Sequence, residues 1–379
     1  MSTEYCIYNH LLTPLLRRKT QLTPEMFDFR AKFLEGHGSL HSRCWSDVKN
    51  GYAENGYLQG GRKMWGLLNR GFSDLLENPI LFFFHGRRPA NSVPLVERAS
   101  DLIDELELEI GGQRIDKIFG LQIDIMLRLY GLRILHGETF VAVPLPFDLF
   151  IGRNSFPIRD CHLFEVRICL MTKSTIPSDL FTDVRVRSDR VSLDTPFRPP
   201  SFLETLAGYW KGISCLAPTP TPGPASKPVH TLAFRQSQYT GQEMIGTRTQ
   251  IQLFFNHPVM YLTFHFTDPT GKMVTESVFK KVRLRFDDRV FREEGIESVV
   301  HDTTERLGAG FDGVYLFEVS RHKIQEYAPD TVHFSEIDRV YLEFDFEPQQ
   351  PSPETCIHVH AVSQNRAIVG GGIVKILPN

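Results

Sequence analysis

Residues 104–118 read DELELEIGGQRIDKI. Leu106, Leu108 and Ile110 alternate with Glu105, Glu107 and Glu109, and a period of two held over this length marks a strand with one face in a core. Gly111-Gly112 then offers the positive-φ positions of a two-residue hairpin turn, and a second strand follows. Further along, KKVRLRFDDRVF at residues 280–291 has the same form. There Val282, Leu284 and Phe286 oppose Lys281, Arg283 and Arg285, and Asp287-Asp288 takes the turn. Two hairpins of one design in a single chain point to a duplication.

The spacing beyond the hairpins repeats too. Gly111 precedes Leu163, where LFEVRICL begins, by 52 residues, and Asp287 precedes Val340, where VYLEFDFE begins, by 53. Phe164, Val166 and Ile168 share a face in the first, Leu342, Phe344 and Phe346 in the second, and a polar loop carrying a Phe, FPIRDC or HFSEID, comes before each. Other strand-like runs, separated by Pro, Gly and Asp, are PILFFFHG, QIDIMLRLYG, TFVAVPLPF, DVRVRS, RVSLDT, TQIQLFF, MYLTFHFT, GVYLFEV and TCIHVHAV. This pattern predicts an all-β chain of two similar sandwiches in tandem. Helical patterns are few. TPEMFDFRAKFLEG places Met26, Phe29 and Phe33 on one face after Thr23 and Pro24, MWGLLNRGFSDLLENP holds a second short helix, and PSFLETLAGYWKG has Ser201 and Glu204 in capping-box positions.

The 379 residues, 41% hydrophobic and 23% charged, suit a soluble protein of more than one domain. Its 29 phenylalanines favour packed sheets. A net charge of -3 gives no general attraction to nucleic acid or anionic lipid. The six cysteines, Cys6, Cys44, Cys161, Cys169, Cys215 and Cys356, lack ligand spacing and read as reduced thiols. The opening MSTEYCIYNHLL has no signal-peptide pattern, no apolar run approaches the ~20 residues that span a bilayer, and Asn-x-Ser/Thr is absent, so secretion is not expected. The expected partition is an N-terminal arm with the start of the first sandwich at 1–78, the first sandwich at 79–215, a proline-rich linker or loop at 216–229, and the second sandwich at 230–379.

Candidate chemistry is sparse. His358 and His360 share a strand face as a metal pair would, but no glutamate follows, and two histidines on a partly solvated face are expected. In GYLQGGRKMWG, Gly56 and Gly61 have P-loop spacing, yet Arg62-Lys63 stands in place of Lys-Ser/Thr, which leaves a glycine-rich surface loop. HGRRP from His85 reads as a solvated turn, GGG from Gly370 as a tight crossing between strands, and ELELE as an exposed strand face. Gly-x-Ser-x-Gly is absent. No enzyme activity, cofactor or metal is expected.

The wording of the motifs adds a family. LIDELELEIGGQRIDKIFG resembles the strand–turn–strand segment of the major capsid proteins of nucleocytoplasmic large DNA viruses, at Glu109, Gly111, Gly112, Gln113, Ile115 and Asp116. VAVPLPFDLF is similar to their PLPF segment at Pro144, Pro146 and Phe147, and FNHPV to another at Asn256, His257 and Pro258. HFSEID resembles their NFSRID segment at Phe334, Ser335, Ile337 and Asp338. The matches keep the family's order from Leu102 to Gly372, and Asp148 stands where members often carry an aromatic.

The resemblance implies two tandem eight-stranded jelly rolls with a partly helical N-terminal arm. It also implies a homotrimer forming a pseudo-hexagonal capsomer of an icosahedral shell, since duplication turns three-fold into approximate six-fold symmetry. The implied partners are the chain itself, neighbouring capsomers and minor capsid proteins, with no direct nucleic acid and with proximity to an inner membrane. The implied location is the virion capsid, after assembly in the host cytoplasm. The arm before Pro79 is then expected to lie against a neighbour. Two alternatives stay open: a minor capsid or scaffold protein of the same fold, and a carbohydrate-binding or carbohydrate-active β-sandwich.

Overall fold

The computed structural model describes residues 34, 39–52, 56–68, 73–86, 96–151, 154–177, 179–193, 229–244, 250–276, 278–319, 331–346, 354–370 and 373–376. The helical pattern of residues 23–36, Leu34 apart, that of residues 200–212 and the proline-rich stretch lie outside them.

Strand pairing divides the elements into two sets. The first holds β1 (Ser39–Lys49), β2 (Lys63–Leu67), β3 (Leu75–His85), β4 (Ile103–Ile110), β5 (Gln113–Phe119), helix α1 (Leu121–Leu129), β6 (Leu135–His136), β7 (Phe140–Pro144), β8 (Val166–Thr172) and β9 (Phe181–Leu193). The second holds β10 (His230–Met244), β11 (Gln250–Gln252), β12 (Pro258–Thr267), β13 (Phe279–Phe286), β14 (Arg289–Gly295), helix α2 (Ile296–Leu307), β15 (Val314–Glu318), β16 (Val332–His333), β17 (Val340–Phe346), β18 (Cys356–Gly370) and β19 (Ile373–Ile376). In the first set the antiparallel orders are β1-β9-β3-β7 and β2-β8-β4-β5, joined where β1 pairs with β2. In the second they are β10-β18-β12-β15 and β11-β17-β13-β14. Apart from the short β6, β16 and β19, strands of equal rank take equal places. Each half is an eight-stranded jelly roll.

The paired hairpins agree in detail. Ile115 is the extra residue between the pairs Glu109↔Arg114 and Leu108↔Asp116, and Phe291 is the extra residue between Arg285↔Val290 and Leu284↔Arg292. The same bulge therefore bends the same strand in each roll. The first turn residue donates its N–H to the carbonyl just before the seventh-rank neighbour, β8 or β17: Gly111 to Glu165 at 2.9 Å, Asp287 to Arg339 at 2.8 Å. Gly111 and Gly112 have φ of +61° and +79°, and Asp287 has +53°, a value Asp tolerates better than most side chains. A glycine then caps a helix in each roll, Gly120 before α1 and Gly295 before α2.

Several local expectations are corrected. QIDIMLRLYG alternates like a strand, but Ile123, Met126 and Leu127 also fit a helical face, and the structure makes it α1. Asp124 pins that helix by accepting the N–H groups of Ala99 at 2.7 Å and Ser100 at 3.2 Å. The described residues of 64–79 are not helical; Met64 and Gly66 are buried on β2, and Gly66 lies so near Val48 that a Cβ would come within 3.3 Å of it. DVRVRS and RVSLDT are one strand, β9, and LFEVRICL becomes regular only at Val166. Asn78-Pro79 makes a bulge in β3 and does not end it.

The ELELE face is not freely exposed. Glu107 is buried beside Lys63 at 3.2 Å, Glu105 meets Lys117 at 2.8 Å, and Glu109 meets Arg167 at 3.9 Å. In the second roll the ladder has the opposite polarity. Lys281, Arg283 and Arg285 of β13 pair with Glu293, Glu343 and Asp345 at 2.5–3.0 Å. The cores differ as well: the second closes on Phe264, Phe266, Phe279, Tyr315 and Phe344, the first mainly on Leu, Ile and Val.

Candidate functional site: the seam between the two rolls

The chain's most constrained polar site lies where the second roll leans on the first. Leu232 and Phe234 of β10, Tyr261 of β12 and Val362 of β18 belong to one apolar cluster with the interior of the first roll. Tyr261 and Val362 alternate with Leu262 and Ala361 of the second roll's own core, so these two side chains point away from it. A strand wedged into another domain brings its backbone polar groups along, and they need partners.

The first roll supplies them from three places. The Asp116 carboxylate on β5 accepts the Ser237 N–H at 3.2 Å, and the Ile115 carbonyl accepts from the Gln236 side chain at 2.9 Å. In the short turn after β7, Asp148 accepts the Arg235 N–H at 2.8 Å, while Asn154 donates to Asp148 at 3.2 Å and to the Ala233 carbonyl at 3.0 Å. On α1, Gln122 accepts from the Thr263 hydroxyl at 2.8 Å. His230 and Asp160 close one end at 3.0 Å. Burial pushes the Asp116 carboxyl up to about 8 despite its two N–H donors, and burial likewise raises Asp148.

At the other end a cavity of ≈ 670 Å³ lies between the rolls, lined by Arg98, Phe119 and Lys173 from the first and by Tyr239, His265, His358 and His360 from the second. The rings stack across β10, β18 and β12: His265 on His358 at 4.6 Å, Tyr239 on His360 at 4.4 Å. Two hydroxyls hold His358, Tyr239 at Nδ1 and Thr267 at Nε2, each at 3.0 Å. Burial lowers all three histidines, His265 to about 3 with the neighbouring His358 adding to it. The face expected to be partly solvated is therefore dry at His360, and a third histidine, His265, joins it. Among the described residues, no three or more His, Cys, Asp or Glu side chains are grouped to hold a metal ion.

No family model and no curated protein matches the chain. Solved structures do. VP54 of PBCV-1, in a crystal structure fitted into a reconstruction of the virophage Sputnik, aligns over 90% of this chain and 97% of its own at 16% identity, with a TM-score of 0.63. A quasi-atomic model of the PBCV-1 capsid aligns over the same shares at 16% identity and 0.61. The Faustovirus major capsid protein covers 98% of this chain and 100% of its own at 9% identity and 0.54. The fold is the double jelly roll of viral capsid proteins.

Within this double jelly roll the motif residues separate into three groups. Ile115 and Asp116 lie on the seam, Asp148 beside them, and Pro144, Pro146 and Phe147 are buried under the turn that carries Asp148. Glu109, Gly111, Gly112 and Gln113 form the hairpin turn, where a Cβ on Gly111 would sit 2.7 Å from the Phe164 ring. Asn256, His257 and Pro258 lead into β12, with Pro258 paired to His333. Phe334 is buried and begins a single 3-10 turn that Ile337 closes, while Ser335 and Asp338 are exposed. The structure does not bring these groups into one place. Gln122, Asn154, Arg235, Ser237, Thr263 and His265 escaped the sequence reading because each looks like an ordinary outward polar position. GYLQGGRKMWG is no phosphate loop: a Cβ on Gly60 would meet the Lys173 carbonyl at 2.6 Å. Of GGG at 370–372, Gly370 ends β18 and pairs with Ile373 of the antiparallel β19, and the other two glycines lie outside the described residues.

Proposed function

We propose that the chain is a structural capsid protein of a large DNA virus, three copies of which form a pseudo-hexagonal capsomer of an icosahedral shell. The observation that carries this is the seam. Two rolls of one topology are held at a fixed angle by buried backbone-directed hydrogen bonds, the rigidity a lattice tile needs. The likeness in fold to capsid proteins of PBCV-1 and Faustovirus supports the same reading. Its partners are then copies of itself, neighbouring capsomers and minor capsid proteins, without direct nucleic acid and near an inner membrane. Its work is assembly, without catalysis or cofactor, in virions built in the host cytoplasm.

In this reading the motif positions set the turn (Glu109, Gly111, Gly112, Gln113), the seam (Ile115, Asp116, Pro144, Pro146, Phe147) and the supports of the second roll (Asn256, His257, Pro258, Phe334, Ser335, Ile337, Asp338). The stretch 216–229 is the tether between rolls; of the arm expected before Pro79, β1, β2 and the start of β3 belong to the first roll, which leaves the residues before β1 to reach a neighbour. Mass measurement on the purified full chain tests the reading. A stable three-chain particle is expected, and a monomer that binds glycans would replace it with a lectin-type sandwich. Quantitative mass spectrometry of purified virions then reads the copy number: a dominant shell component is expected, and a low count assigns the minor role.

A further inference from the structure

The cavity between the rolls holds more hydrogen-bonding capacity than the chain itself uses. Strand register builds one wall: Tyr239 stands opposite His360 on β10 and β18, and His265 opposite His358 on β12 and β18. The four rings lie parallel to within 16°. Their faces are occupied by one another, which leaves polar ring edges for the cavity. Parallel rings do not converge their nitrogen lone pairs on one point, so the row is not built for a metal ion. His360 is 4% exposed, and its Nδ1 is buried without a hydrogen-bond partner.

His358 lies between two hydroxyls that also line the cavity, Tyr239 at Nδ1 and Thr267 at Nε2. A neutral imidazole has one N–H and one bare nitrogen, so one hydroxyl donates to it and the other accepts. An imidazolium donates from both nitrogens. Both hydroxyls then accept, and both O–H groups are free for another acceptor. Protonation thus keeps the two bonds and adds a charge and a second free donor. The Tyr239 phenol, raised by burial and by the nearby Cys356, keeps its proton and can donate.

The first roll brings fixed charge to the other wall: Arg98 and Lys173 against Asp101 and Asp104. Asp101 accepts the Arg98 backbone N–H at 3.0 Å, and Asp104 lies 3.4 Å from Lys173. The Arg98 guanidinium donates to the Gly310 carbonyl and sits 5.9 Å over the Phe311 ring. With neutral imidazoles these four charges cancel. One charged histidine makes the cavity a net cation, with two hydroxyl donors and a guanidinium fork, the donor set that recognises an oxyanion. A volume of ≈ 670 Å³ also has room for what an oxyanion is attached to.

We propose that this cavity is a proton-coupled oxyanion site, which takes a sulfate or phosphate group, free or as the ester of a small molecule, together with one proton on His358. In the empty cavity burial disfavours charge on His265, His358 and His360. The anion supplies the counter-charge, so the site fills as pH falls, and filling in turn favours the charged ring. Each chain carries the site whether alone or assembled, so its test is independent of the oligomer.

Isothermal titration calorimetry of the full chain with sulfate, whose charge does not change over this range, tests it. Binding about tenfold tighter or more at about pH 5.5 than at about pH 7.5 is expected, with uptake of about one proton read from buffers of different ionisation enthalpy. His358→Gln keeps a donor and an acceptor for the two hydroxyls and should bind without pH dependence or proton uptake; uptake unchanged in this variant overturns the role of His358. Should it misfold, Lys173→Ala on a partly exposed side chain is read instead: several-fold weaker binding with proton uptake retained is expected, and unchanged affinity overturns the site. Glucose 6-sulfate binding tighter than sulfate assigns an ester, and equal or weaker binding a free oxyanion. No binding of either at about pH 5.5, or binding by the wild type without proton uptake, overturns the proposal.

Discussion

The outer faces of the two four-stranded sheets β1-β9-β3-β7 and β10-β18-β12-β15 have one topology and opposite chemistry. In the second roll the face carries Tyr239, His265, His358 and His360 and turns toward the first roll across the cavity. In the first roll it carries Trp45, Phe82, Phe84, Arg185 and Arg187, with Trp45 and Arg185 exposed and Phe82 buried beneath them. Imidazoles stacked ring on ring suit a partly buried contact, where their charged forms are disfavoured. Arginines over aromatic rings keep their charge beside water, and Arg185 is also paired with Asp183 at 2.6 Å.

The largest test of that contrast sets Phe234 against Trp45. Phe234→Ala, in the covered seam, is expected to cost about 3–5 kcal/mol in denaturant unfolding. Trp45→Ala, on the open counterpart, is expected to leave monomer stability within about 1 kcal/mol while weakening self-association. Equal costs at the two sites would erase the distinction.

Acid sharpens it next. His265, His358 and His360 hold folded-state values below 6.5, so the unfolded chain takes up protons that the folded chain refuses. Their contribution is therefore complete above pH 6.5 and is lost as pH falls toward the folded values, about 3 for His265. The expected slope is about 1.4 kcal/mol per pH unit for each histidine that charges on unfolding. Replacing all three by Gln should flatten the stability profile below pH 6.5. Asp116 acts in the opposite direction: raised to about 8, it favours the fold at low pH and loses that contribution as pH rises from 3.8 through 8. Asp116→Asn keeps an acceptor for Ser237 and should remove this alkaline loss, as a pH series of unfolding curves would record.

Smaller effects separate the hairpins. Gly111→Ala must hold a Cβ at positive φ against the Phe164 ring and is expected to cost about 2–3 kcal/mol; Gly112→Ala, in open space, about 1. Asp287→Gly, which relieves the same backbone strain in the second roll, should stabilise by a few tenths to about 1 kcal/mol. Smallest are the charge ladders, where losing the Lys63–Glu107 pair through Lys63→Ala should change stability by about 1 kcal/mol or less and fade in salt.

Duplication was legible in the sequence because alternation and turn chemistry are local signals: the 104–118 and 280–291 hairpins needed no long-range knowledge. Local signals also misled. QIDIMLRLYG satisfies periods of two and of 3.6, and only the grip of Asp124 on Ala99 and Ser100 decides for the helix. Residues 64–79 offered leucines at helical spacing, but pairing of β2 with β8 overrides it. The seam was not legible: the family likeness marked Ile115 and Asp116 as motif positions without placing them between the rolls. Thr263 and Gln122 lie 141 positions apart, and nothing in either neighbourhood announces the other. His265 stayed hidden for the same reason, far along the chain from His358 and His360.

Electron microscopy of the purified particle, viewed down its three-fold axis, tests the central claim most directly. Six lobes of nearly equal size, evenly spaced in a closed ring, are the expected result. Three lobes, or an open chain of pairs whose contacts between molecules differ from those within them, would contradict it.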